Sequence, residues 1–97
     1  MILDRKEKQP VDIKDYPIDY AEWLQGDTIA SLSASVVCLT DPSNSTLTVY
    51  NLTQAPTAVS VWLAGGTDGQ RYKVSVTVTT TGGRVDQSEF IMKVKEY

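Results

Sequence analysis

The side chains in this sequence that could do chemistry are few, and none comes with the partners that chemistry requires. There is one cysteine and no histidine among 97 residues, which removes the commonest general base and the commonest metal ligand. Serine and threonine are abundant, but no activating base accompanies them in any nucleophile motif. Asp15 and Asp19 fall four residues apart. On a helix they would neighbour each other, and paired carboxylates can hydrolyse glycosides. Nothing places them in a cleft, however, and their ordinary role is that of acids at a helix start. Cys38 sits in the apolar run Val36-Val37-Cys38-Leu39. A lone cysteine forms no internal disulfide and no thiolate metal site, and this flank favours a buried, inert thiol.

Two further patterns fail on context. Gly65-Gly66-Thr67-Asp68-Gly69 is glycine-rich, but a phosphate cradle opens onto a helix N-terminus, and here a strand follows. No Asp-x-Asp-x-Asp-Gly calcium loop is present. The sequence therefore predicts a non-enzymatic protein with no metal and no cofactor. Asn44-Ser-Thr46 and Asn51-Leu-Thr53 match the glycosylation sequon. The first fifteen residues are charged and lack an apolar signal region, so both matches read as chance. No apolar run approaches the length of a membrane span. The net charge is −3. The surplus acid lies in residues 1–27, residues 28–97 are balanced, and no basic patch gathers that could neutralise phosphates. Neither nucleic acid nor membrane is expected as a partner.

The elements that must carry these residues are strands. Val59, Val61 and Leu63 alternate with Ser60, Trp62 and Ala64, and Tyr72, Val74, Val76 and Val78 alternate with Lys73, Ser75, Thr77 and Thr79. Period two with β-branched and aromatic residues marks half-buried strands. The glycine-rich stretch between them supplies the positive-φ positions of a tight corner. Gly69 and Tyr72 have the spacing of a tyrosine corner, in which a tyrosine at a strand start bonds back to the backbone of the preceding turn. Trp62 is a candidate core tryptophan. A hairpin is expected between residues 72–80 and 86–94 across the turn Thr81-Gly-Gly-Arg84. With strands in 27–39 and 46–52, about six strands at regular spacing predict an all-β sandwich. The corner and last hairpin point to an antiparallel sandwich of the immunoglobulin-like kind.

Ahead of the sandwich, residues 1–15 read as an extended arm with Ile2, Leu3, Val11 and Ile13 as apolar anchors. Residues 16–26 read as a short helix, with Pro17 at its first turn and Gly26 at its end. Tyr20 shares a helix face with Trp23 and Leu24. So short a helix must pack on something, either the open end of the sandwich or a partner. The expected organisation is an arm over residues 1–15 and a sandwich domain over 16–97.

Two blocks together resemble a family. One is Asp15-Tyr-Pro-Ile-Asp-Tyr-Ala-Glu-Trp-Leu-Gln-Gly-Asp-Thr-Ile-Ala-Ser31, and the other runs from Val61-Trp-Leu-Ala-Gly-Gly-Thr through Tyr72-Lys-Val and Gly83-Arg-Val-Asp86 to Val94. They resemble the small fibre–tail adaptor proteins of tailed phages. The resemblance implies a virion structural protein with no catalytic residues. Such a protein is a rigid joint, present in several copies set by tail symmetry, between other virion proteins (the tail tube or adaptor on one side, a fibre or spike on the other). For such a joint the expected interface is the arm (Ile2, Leu3, Val11, Ile13) with the aromatic helix (Tyr16, Tyr20, Trp23, Leu24). A capsid decoration protein is the alternative within the virion. A glycan-binding module is the alternative outside that class. It would need an exposed aromatic platform, for which Tyr50 and Trp62 are the candidates, although core positions suit both better.

Overall fold

Alternation of apolar and polar side chains builds nearly every element of this chain. The computed structural model describes the backbone of residues 2–96 and the side chains of residues 5–96. Seven strands and one helical turn follow in order: β1 (Ile2–Lys8), β2 (Lys14–Asp19), α1 (Ala21–Leu24), β3 (Ile29–Cys38), β4 (Leu47–Gln54), β5 (Ala58–Gly65), β6 (Arg71–Thr80) and β7 (Val85–Val94). They form two sheets, one of order β1-β7-β6-β3 and one of order β2-β5-β4. The inward columns Val59, Val61, Leu63 of β5, Tyr72, Val74, Val76, Val78 of β6, and Phe90, Met92, Val94 of β7 form the core between the sheets. Each is almost fully buried, worth about 1.5–3 kcal/mol per large apolar side chain.

β6 and β7 pair as the expected hairpin, in a register that sets Tyr72 opposite Met92 and Val78 opposite Asp86. The stretches before and after Ser35 join into one strand, β3, whose register against β6 shifts between Ile29 and Ser31. All pairings are antiparallel except one. β1 lies parallel to β7, with Arg5 opposite Ile91 and Lys8 opposite Val94. The sandwich is therefore not purely antiparallel, and the stretch read as an arm is a sheet strand over Ile2–Lys8. The side chains of Ile2 and Leu3 lie outside the described residues.

The expected helix over 16–26 is corrected to a single turn, Ala21–Leu24. Tyr16 and Ile18 point inward and Asp15, Pro17 and Asp19 outward, so period two takes the segment into β2, paired with β5. Pro17 is tolerated because β2 is a sheet edge, where the missing N–H faces away from the ladder. Asp19 still serves the turn, since its Oδ1 accepts from the N–H of Ala21 at 2.9 Å. Gln25 closes the turn in the left-handed region, ahead of the anticipated Gly26. Trp62 is also corrected. With Val59, Val61 and Leu63 facing the core, its odd-numbered neighbours take the inner side, and the indole lies half-buried on the outer face of β5.

Candidate functional site

One end of the sandwich is closed by α1 and the β6–β7 turn. Tyr20 leads into the turn with its ring in the core, and its hydroxyl donates to Ser88 Oγ at 3.2 Å, which donates in turn to Asp86 Oδ2 at 3.0 Å. Trp23 meets Tyr20 edge-on at 6.1 Å. The Arg84 guanidinium lies over the indole at 4.6 Å and donates to the carbonyls of Trp23 (3.1 Å) and Leu24 (2.6 Å). A cation on the last carbonyls of a helical turn satisfies acceptors that have no intrahelical partner.

Asp27 fixes the same corner. Its Oδ1 accepts from Thr28 N (2.8 Å), Thr81 Oγ1 (2.8 Å) and Gly82 N (3.2 Å), and Oδ2 lies 3.5 Å from Arg84. The hydroxyls of Thr80 and Thr81, with the N–H groups of Thr28 and Gly82, hold its carboxyl well below the usual carboxylate range.

Of the residues expected to dock a partner, Tyr16, Tyr20 and Leu24 are core residues here, at 8, 5 and 1% exposure. The reason is the strand character of 14–19, which turns Tyr16 inward, and the closeness of α1 to β7. Trp23 is half-buried and lines a cleft of about 540 Å³. Asp19, Glu22 and Asp86 bring three carboxylates to that cleft beside Tyr20 and Ser88. Arg84 is the cation beside it, and Asp27 and the α1 carbonyls occupy its donors. Val11 and Ile13 are exposed in the β1–β2 connection, at 83 and 53%.

A second concavity of similar volume lies at the other end of β7. It is lined by Arg5, Lys6, Arg71 and Lys93, with Glu7 and the apolar Leu39 and Ile91. Strand geometry separates Asp86 from Lys93 by about 23 Å. The chain thus presents an acidic cleft and a basic one at the two ends of a single strand.

Tyr72 lies fully buried at the basic end, opposite Met92. Its hydroxyl accepts from the N–H of Thr67 at 2.9 Å and donates to Asn44 Oδ1 at 3.0 Å. Asn44 also donates to Thr67 Oγ1 at 3.0 Å and accepts from the N–H of Thr46 at 3.0 Å, so the amide of the first sequon is engaged in this corner. Gly69 stands at φ +83° in this corner, and a Cβ on Gly66 would meet Val94 Cγ2 at 2.6 Å. Cys38 is buried, its sulfur 3.5 Å from Thr40 Oγ1.

Sequence reasoning missed three residues. Lys8 is buried, and its ammonium donates to the carbonyls of Gln9 (2.7 Å) and Gly65. Burial there pushes its pKa down. Nothing in an arm-like stretch of alternating charges signals a buried lysine. Arg84 and Asp27 lie 57 residues apart in sequence and meet only through the fold, although Asp27-Thr28 after a glycine is a local sign of a capping acid.

The class these features define is a small two-sheet structural module. A family model described as Podophage GP4 fiber-tail adaptor protein gp77 matches residues 8–93, and the chain belongs to that family. A search of curated proteins found no significant match. Among the described residues no helix is long and apolar enough to cross a membrane, and no group of three or more acidic or thiol side chains is placed to hold a metal ion.

Proposed function

We propose that this chain is a non-enzymatic joint of a tailed-phage virion, attaching a fibre or spike to the tail, in copies set by the tail's symmetry. The observation that carries the reading is the pair of oppositely charged clefts at the two ends of β7. A joint must hold two different neighbours, and complementary charge selects and steers partners more than it adds raw affinity. The acidic cleft of Asp19, Glu22 and Asp86, with the Trp23 indole as its aromatic anchor, suits a lysine- or arginine-bearing segment of one neighbour. The basic cleft of Arg5, Arg71 and Lys93 suits an acidic segment of the other. The exposed Val11 and Ile13, in the connection that follows β1, supply an apolar contact near the basic end.

We also assign the sandwich to the immunoglobulin-like architecture. The order β2-β5-β4 against β7-β6-β3 corresponds to the B-E-D and G-F-C strands of that fold, with the first strand moved beside the last. The Tyr72 corner, at the start of the sixth strand, agrees with it. Such a body is rigid, which suits a part that transmits force between tail and fibre.

The test is binding of the purified chain to isolated tails and to isolated fibre protein, followed by light scattering. Glu22→Lys is expected to abolish one contact and Lys93→Glu the other, each leaving the remaining partner bound. If both variants bind both partners as the wild type does, the two-cleft reading is refuted. Uptake by capsids and not by tails would replace the joint with head decoration.

A further inference from the structure

The outer face of the three-stranded sheet carries an arrangement that a joint does not need. Trp62 stands half-buried at its centre. The register sets Asp15 of β2 on one side of it and Asn51 of β4 on the other. Between Val49 and Asn51 the β4–β5 register shifts, leaving Tyr50 as the extra residue of a β-bulge. Val49 and Leu52, which flank the bulge, both pack on the core. Tyr50 and Asn51 are therefore left together on the solvent side, and Tyr50 is 64% exposed. Bulges re-aim side chains next to functional sites, and this one leaves a phenol and an amide on the face that carries the indole.

We infer that this face is a carbohydrate-binding platform that takes a pyranose ring on Trp62. The chemistry selects the ligand. A pyranose has an apolar C–H face that stacks on an aromatic ring and a rim of hydroxyls that donate and accept. Asp15 is an acceptor and forms no ion pair among the described residues. Asn51 Oδ1 is taken by the N–H of Leu52 at 2.9 Å, which leaves its amide hydrogens to donate. Acceptor and donor stand on the two strands beside β5, about 10 Å apart across the indole, a span that brackets one sugar ring. Tyr50 extends the aromatic surface on the Asn51 side.

A docked protein fits the face less well. The other outward positions include Pro17 of β2, Thr48 and Thr53 of β4, and Ser60 and Ala64 of β5, small side chains that leave no large apolar centre for a protein interface. Covering Asp15 with protein would bury a carboxylate without a cation. Sugar hydroxyls satisfy a carboxylate without neutralising it. The platform lies outside both charged clefts, so it can stand or fall independently of the joint.

The experiment follows the indole N–H signals of Trp62 and Trp23 by NMR while the whole chain is titrated with methyl glycosides of glucose, galactose, mannose, rhamnose and N-acetylglucosamine. A saturable shift at Trp62, with Trp23 unmoved, is expected from at least one of them. Trp62→Ala should abolish binding, and Asp15→Ala and Asn51→Ala, surface changes that leave the core intact, should each weaken it by about tenfold, equivalent to ~1.4 kcal/mol. No saturable shift at Trp62 from any of the five overturns the inference, as does binding that survives Asp15→Ala and Asn51→Ala unchanged. Loss of tail or fibre binding by Asp15→Ala and Asn51→Ala, without sugar binding by the wild type, would make the face a protein interface instead.

Discussion

Two tyrosine hydroxyls in this core sit in opposite circumstances, and removing each should move stability in opposite directions. The hydroxyl of Tyr72 accepts from Thr67 N–H and donates to Asn44 Oδ1, whereas that of Tyr16 is buried with no hydrogen-bond partner among the described residues. In Tyr72→Phe the Asn44 oxygen keeps its bonds from the backbone and hydroxyl of Thr46, but the Thr67 N–H loses its acceptor. One lost bond plus one orphaned donor costs about 1.5–3 kcal/mol. For a domain of this size that lowers Tm by about 6–20 °C. In Tyr16→Phe the ring contact with Phe90 at 5.9 Å remains, and a hydroxyl that was desolvated without compensation is removed. That change should be neutral or stabilise by up to about 1 kcal/mol. Urea denaturation followed by far-UV circular dichroism reads both, with equal m values as the check that the denatured state is unchanged. Equal effects of the two substitutions, or a Tyr72→Phe protein within about 0.5 kcal/mol of wild type, would refute the hydrogen-bond argument.

The remaining predictions concern the ends of the sandwich. Arg84→Ala removes two charged hydrogen bonds to the α1 carbonyls and the cover of Trp23, and should cost about 1–2 kcal/mol, discounted for partial exposure; a red-shifted Trp23 emission is the accompanying sign. Asp27 has a folded pKa below its unfolded one, so the stability it contributes is complete at neutral pH and is lost as pH falls through and below the ordinary carboxylate range near 3.8. An acid titration of Asp27→Asn should therefore be flatter than that of wild type below about pH 4, and parallel curves would show that Asp27 is not the group responsible. Gly66→Ala drives a Cβ into Val94 at a positive φ and should cost about 2–4 kcal/mol in thermal or urea unfolding. Deleting residues 1–8 bares the β7 edge and removes Lys8 from the corner, so the product should keep its fold at reduced stability but self-associate through that edge in light scattering.

The strands were legible where one face is apolar and the other polar. Residues 59–65, 71–80 and 85–94 alternate so strictly that position, length and inward face all follow from side-chain type. The Tyr72 corner could be proposed because its parts lie within six residues. Segment 14–26 misled for a stated reason. Proline, two acids and a terminal glycine are helix punctuation, yet Tyr16 and Ile18 also alternate, and pairing with β5 decided between the two patterns. Propensity over two turns is a weak term, and tertiary burial overrides it. The same competition placed Trp62. A tryptophan in an apolar strand invites a core reading, but alternation allows three inward residues on β5, and Val59, Val61 and Leu63 occupy them.

What could not be read from the sequence is what distant residues make together. The acidic cleft joins Glu22 to Asp86, the corner joins Asp27 to Arg84, and the outer platform joins Asp15, Trp62 and Asn51. The first two are made where α1 and the chain after it meet the β6–β7 end, and the third is fixed by register between strands far apart in the chain, where a shift of one residue sends every side chain to the opposite face. The bulge at Tyr50 is such a shift, confined to one position, and it is what leaves a phenol and an amide on the face of the indole. β1 makes the same point. Its run of charges after the apolar anchors Ile2 and Leu3 reads as an extended arm, but two of its lysines turn inward. Lys6 lies 5.9 Å from the centre of the Tyr16 ring, and Lys8 reaches the carbonyl of Gly65. Over Arg5–Lys8 the contacts come from aliphatic stems and backbone acceptors, which carry no strong hydrophobic signal in the sequence. In this chain the core announces itself in composition and spacing, while the surfaces that would meet other molecules are made by topology.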